Sequence, residues 1–103
     1  MSHPHLCHAE GCEEPVAPKF LMCAYHWNLV PKAVQRSILR TYRKGQEVDK
    51  RPSPEYMVQH HRAVMAVALI EGRRTFAQCK AHMDGVRARF ARTGPTSQPR
   101  GRR

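Results

Sequence analysis

Cys7, Cys12, Cys23 and His26 are the residues whose types and spacing point most directly to chemistry, in the pattern Cys-x4-Cys-x10-Cys-x2-His. Two close ligand pairs joined by a short connector are what a tetrahedral metal site needs, and thiolate with imidazole suits the borderline softness of zinc. Four protein ligands leave no open coordination position, so the pattern predicts one structural Zn2+ rather than a catalytic ion. Two disulfides, or four unremarkable thiols, are the competing uses of the chain's four cysteines, Cys79 being the fourth, and disulfides fit poorly with a reducing compartment. His5 and His8 lie close enough in sequence to replace a ligand if Cys7 or His26 pointed elsewhere. The spacing departs from that of the two-histidine finger, whose connector is about twelve residues, so that module's base-reading mechanism is not expected. The better geometric analogy is a treble-clef-like module, with a turn giving two ligands and the start of a helix giving the other two.

Such a module needs a body to sit on. Residues 1–30, broken by Gly11, Pro15 and Pro18, show no sustained periodicity and form the zinc-binding module. A first helix is predicted from Pro31 to a glycine stop at Gly45, with Val30, Val34, Ile38 and Tyr42 on one stripe. After a polar loop to Pro52, Ser53-Pro54-Glu55 reads as an N-cap with proline and an acid in the first turn. That second helix runs to about Ile70, burying Met57, His61, Val64 and Ala68, with Met65 and Leu69 widening the face, and Gly72 breaks it. Phe76, Cys79, Met83, Val86 and Phe90 then follow a 3-4-3-4 spacing, the stripe of a third helix weakened by Gly85. The stripe predicts either packing on the other helices or a homodimer, with Cys79 as a core thiol. Residues 31–92 thus form a helical region packed on the module as one domain, and residues 93–103 a disordered basic tail. The expected fold class is mainly α.

A chain of 103 residues with 7% aromatic content has little apolar area to bury, which makes a metal staple useful. The net charge of +10 is uneven. Residues 1–30 hold Lys19 against three glutamates, whereas residues 73–103 hold nine bases against Asp84 alone. The C-terminal third therefore carries the field that attracts polyanions. Candidate contacts to nucleic acid or to an acidic protein surface are Arg36, Arg40, Arg43 and Lys44 near the end of the first helix, then Arg73, Arg74, Lys80, Arg87, Arg89 and Arg92. Trp27 is expected to pack over the metal turn rather than to stack on a base. His60 and His61 are expected at surface or boundary positions facing different directions, which argues against a second metal site. No nucleophile with a positioned base, glycine-rich phosphate loop or acidic two-metal cluster can be assembled, so an enzyme is not expected. No apolar stretch approaches the roughly 20 residues that span a bilayer, and no secretory leader is evident, so no membrane association is expected.

Met22-Cys23-Ala24-Tyr25-His26-Trp27, Val30-Pro31, Tyr42-Arg43-Lys44-Gly45-Gln46 and Arg51-Pro52-Ser53-Pro54-Glu55-Tyr56 carry a resemblance. Over roughly its first 70 residues the chain resembles small zinc-finger-like proteins of bacteriophages and prophages, most specifically in its Cys-x2-His-Trp and Tyr-Arg-x-Gly-Gln elements. The resemblance implies a phage origin and a bacterial cytoplasm. It also implies an alternative to nucleic-acid binding: an inhibitor or adaptor acting on a host defence (anti-CRISPR-like) or transcription complex.

Overall fold

The computed structural model describes residues 5–18, 20–42, 44–46 and 52–93, with the backbone alone for residues 91–93. Among the described residues four helices follow an irregular N-terminal loop: α1 (Ala24–Trp27), α2 (Lys32–Thr41), α3 (Pro54–Ile70) and α4 (Phe76–Thr93). The fold is mainly α. The predicted tail from residue 94 onward, and most of the loop before Pro52, lie outside the described residues.

The N-terminal loop folds back on itself through an isolated antiparallel bridge between Leu6 and Pro15. The Cys7 N–H donates to the Glu14 carbonyl and the Val16 N–H to the His5 carbonyl, each at 2.9 Å. Gly11 makes the reversal at φ 80°, a left-handed conformation that costs glycine nothing.

Helix α2 buries Val34 and Ile38, with Val30 just ahead of it, as the four-residue stripe predicts. Its buried Gln35 donates to the Trp27 carbonyl at 2.8 Å, which ties α2 to the end of α1. The helix stops at Thr41 and does not continue to Gly45. Thr41 bonds back to the Ser37 carbonyl at 2.7 Å, and Tyr42 adopts an extended conformation that brings its ring to 6.2 Å from Tyr56. The helix therefore ends before the glycine is reached, at the residue whose ring turns toward Tyr56.

Helix α3 starts as its sequence predicts, with the Ser53 hydroxyl accepting from the Tyr56 N–H at 3.0 Å and proline in the first turn. It packs against both α2 and α4, so its buried arc is wider than one stripe. Ala63, Val64, Met65, Val67 and Ala68 are all buried, and Val67 has no exposed surface. Leu69, predicted to face inward, is 42% exposed, because the two neighbouring helices cover the 63–68 arc and not the last turn. Gly72, at φ 74°, reverses the chain, while the Gly72 and Arg73 N–H groups cap the carbonyls of Leu69 and Ala68.

Thr75 and Gln78 open α4 with a reciprocal capping box: each side chain accepts from the other's backbone N–H, at 3.1 and 2.8 Å. Cys79, Met83 and Val86 are buried and Phe90 is partly buried, which spends the 3-4-3-4 stripe on α3 within one chain. Of the two uses expected of the stripe, packing within the chain is the one it takes, with Phe76, 70% exposed, the member left outside. Cys79 is a core thiol, its S–H directed at the Met65 carbonyl at 3.5 Å.

Candidate metal centre

The loop and α1 bring Cys7, Cys12, Cys23 and His26 together so that one donor atom from each lies within 4.8 Å of all the others. The backbone accounts for this placement. The Cys12 N–H closes a turn onto the Ala9 carbonyl, which holds the first pair around Gly11. Cys23 sits at the N-cap of α1, and His26 lies one turn later with its ring on the same side. His26 Nδ1 is 3.3 Å from the Cys23 sulfur and 3.7 Å from the Cys7 sulfur. Bonds of about 2.3 Å to sulfur and 2.0–2.1 Å to nitrogen in a tetrahedron put such donors about 3.6 Å apart, so the group can hold one metal ion. Among the described residues no other group of three or more ligands is gathered this way, and neither His5 nor His8 belongs to this one.

Burial pushes the Cys7 thiol up to about 11, whereas Cys23 is drawn down to about 7, chiefly because its sulfur accepts from the His26 backbone N–H. Cys23 therefore offers a thiolate at neutral pH, and a metal must displace the proton of Cys7.

The opposite edge of the imidazole is also held. His26 Nε2–H donates to Glu71 Oε2 at 3.0 Å, which fixes the tautomer that leaves the Nδ1 lone pair facing the thiols. Glu71 Oε1 accepts from Arg73 Nε at 3.1 Å, and these partners hold the carboxyl below the ordinary glutamate range. The Arg73 guanidinium in turn lies over Gly11, where a Cβ would come within 2.6 Å of it. One residue further, Arg74 grips Glu10 through Nε and Nη2 at 2.6–3.0 Å. The Glu71–Arg74 reversal is thus a clamp on the metal loop. Sequence reasoning missed it, because nothing in the local pattern relates Glu71 to a histidine 45 positions earlier.

The predicted basic contacts fare unequally. Arg36, Arg40 and Lys44 are exposed, as are Arg87 and Arg89, the latter with its guanidinium 4.9 Å from the centre of the Phe90 ring. Arg73 and Arg74 are engaged in the clamp, and Lys80 pairs with Asp84 at 3.0 Å. Arg43 and the Arg92 side chain lie outside the described residues. Trp27 packs half-buried against the core and lines an apolar groove of about 530 Å3 with Phe20, Met22, Leu39 and Tyr42. No helix among the described residues is long and apolar enough to cross a membrane. Neither protein-family models, nor curated proteins, nor solved structures give a match to this chain.

Proposed function

We propose that the chain is a zinc-stabilised helical protein that binds DNA or RNA mainly through phosphates, using its basic C-terminal region. The observation that carries this reading is the charge of residues 73–103, nine bases against one acid. Part of that charge is spent internally on the clamp, so Arg87 and Arg89, exposed on α4, are the described residues to test first. Zinc is the ion favoured by three thiolates and one imidazole at tetrahedral spacing, and its role is structural because no ligand position is left open. Among the described residues no one helix presents a base-reading set, so binding is expected to tolerate sequence.

The test is binding of labelled mixed-sequence DNA and RNA across a salt series. Affinity should fall linearly on a log–log plot, and the Arg87→Gln/Arg89→Gln double variant should reduce the slope by about 2. Affinity that ignores salt removes the reading.

A second reading, an inhibitor or adaptor that docks on a host protein, is favoured by the apolar groove beside α2, where Phe20 and Leu39 are 54% and 69% exposed. Leu39→Glu distinguishes the two, since it should abolish capture of a protein partner and leave nucleic-acid affinity nearly unchanged.

A further inference from the structure

Five of the protein's seven histidines touch one another in an unbroken row. Ring centroids are 5.2 Å apart for His5 and His8, 4.7 Å for His8 and His60, 5.2 Å for His60 and His61, and 5.1 Å for His61 and His82. His60 and His61 are both half-buried, the boundary position expected of them. Their rings nevertheless meet each other and rings from the metal loop and from α4, contacts that no local pattern could reveal.

The two ends of the row differ. His61 Nδ1 and His82 Nε2 are 3.1 Å apart, an ordinary hydrogen bond between complementary tautomers. His5 Nε2 and His8 Nε2 stand 3.4 Å apart, long for such a bond, and His5 Nδ1 is buried without any hydrogen-bond partner. His5, His8 and His60 line one cavity of about 300 Å3, shared with Gln46, Tyr56 and Met57. Imidazole nitrogens bound to one tetrahedral ion at about 2.0–2.1 Å lie about 3.3–3.4 Å apart, and the His5–His8 pair already has that separation. His60 is the third ring on the cavity, and its terminal torsion is soft enough to turn a nitrogen toward the pair.

We propose that the His5–His8 pair, completed by His60 once its ring turns toward the cavity, takes a single divalent transition ion of the imidazole-preferring class as a second metal site. Three ligands leave a position facing the cavity for water or a small anion, so this ion exchanges readily, unlike one enclosed by four ligands. The site joins the metal loop to α3 through a route separate from the Glu71–Arg74 clamp.

The experiment uses the full chain loaded with one equivalent of zinc and titrated with Co2+ by calorimetry and absorption. A second equivalent should bind, with visible d–d bands but no new thiolate charge-transfer band, and His60→Gln or His8→Gln should remove it while the first zinc and the helical content stay. Binding of one equivalent in all overturns the proposal. So does a second equivalent that survives both substitutions, or one that is lost only in His61→Gln. None of these outcomes depends on whether the protein binds nucleic acid.

Discussion

Glu71 is the side chain on which the metal group's geometry turns. It receives the proton-bearing edge of His26 and is itself steadied by Arg73. Carboxylate–histidine partnerships of this kind typically contribute 10–100-fold in metal affinity, so Glu71→Gln should weaken zinc by about that factor in competition with a chromophoric chelator. Equal affinity would mean that the imidazole is oriented by α1 alone. Cys23→Ser should do more, releasing the ion and unfolding the loop, because metal binding in small modules is inseparable from folding. Zinc content by elemental analysis reads this directly, and full retention would overturn the ligand set. The grouping of Cys7, Cys12, Cys23 and His26 was legible in the sequence because their spacing is local. Glu71, Arg73 and Arg74 were not, because a glutamate and two arginines after a helix look like solvated charge until the partner loop is in place.

Helix starts and stops follow local chemistry unevenly. The Ser53-Pro54 start of α3 and the Gly72 stop were readable, since each rests on a backbone requirement that one or two residue types meet. The end of α2 was not, because the chain leaves the helix at Tyr42, whose ring meets Tyr56 of another helix, ahead of the glycine that local pattern marks as the stop. The width of α3's buried face also escaped a stripe analysis, for a helix covered on two sides buries residues that periodicity assigns to solvent. Gly72 is where an element-scale change should tell most. A residue with a Cβ in the left-handed region costs roughly 1–2 kcal/mol, and here it would also shift Glu71, Arg73 and Arg74 away from the metal loop. Gly72→Ala should therefore lower both thermal stability and zinc affinity, whereas Ser53→Ala should cost about 1 kcal/mol of stability and leave zinc affinity alone. If the two substitutions behave alike in zinc competition, the reversal is not a clamp.

For the whole molecule, the histidine row sets an acid limit. His60 and His61 are both held below the ordinary histidine value, chiefly by burial. Below roughly pH 6.5 the unfolded chain takes up protons that the folded chain refuses, so stability is present above that pH and is lost as pH falls toward the His60 value of about 3. The His60 contribution alone should amount to roughly 2 kcal/mol between pH 7 and pH 5, read from denaturant midpoints, and His60→Gln should flatten the fall. A fall of unchanged steepness in that variant would place the acid sensitivity elsewhere.

The clamp also has a consequence for the order in which the molecule is made. Glu10 and Arg74 are 64 positions apart, and His26 and Glu71 are 45 apart. A nascent chain presents all four metal ligands while α3 is still being synthesised, so an ion can be captured early by a loop that has no outer support. Until residue 74 has left the ribosome, neither the Glu71 contact to His26 nor the Arg74 contact to Glu10 can form, and the arrival of the α3–α4 reversal closes the back of the site. The loop that gathers the four candidate ligands is therefore without its outer support for most of the chain's synthesis.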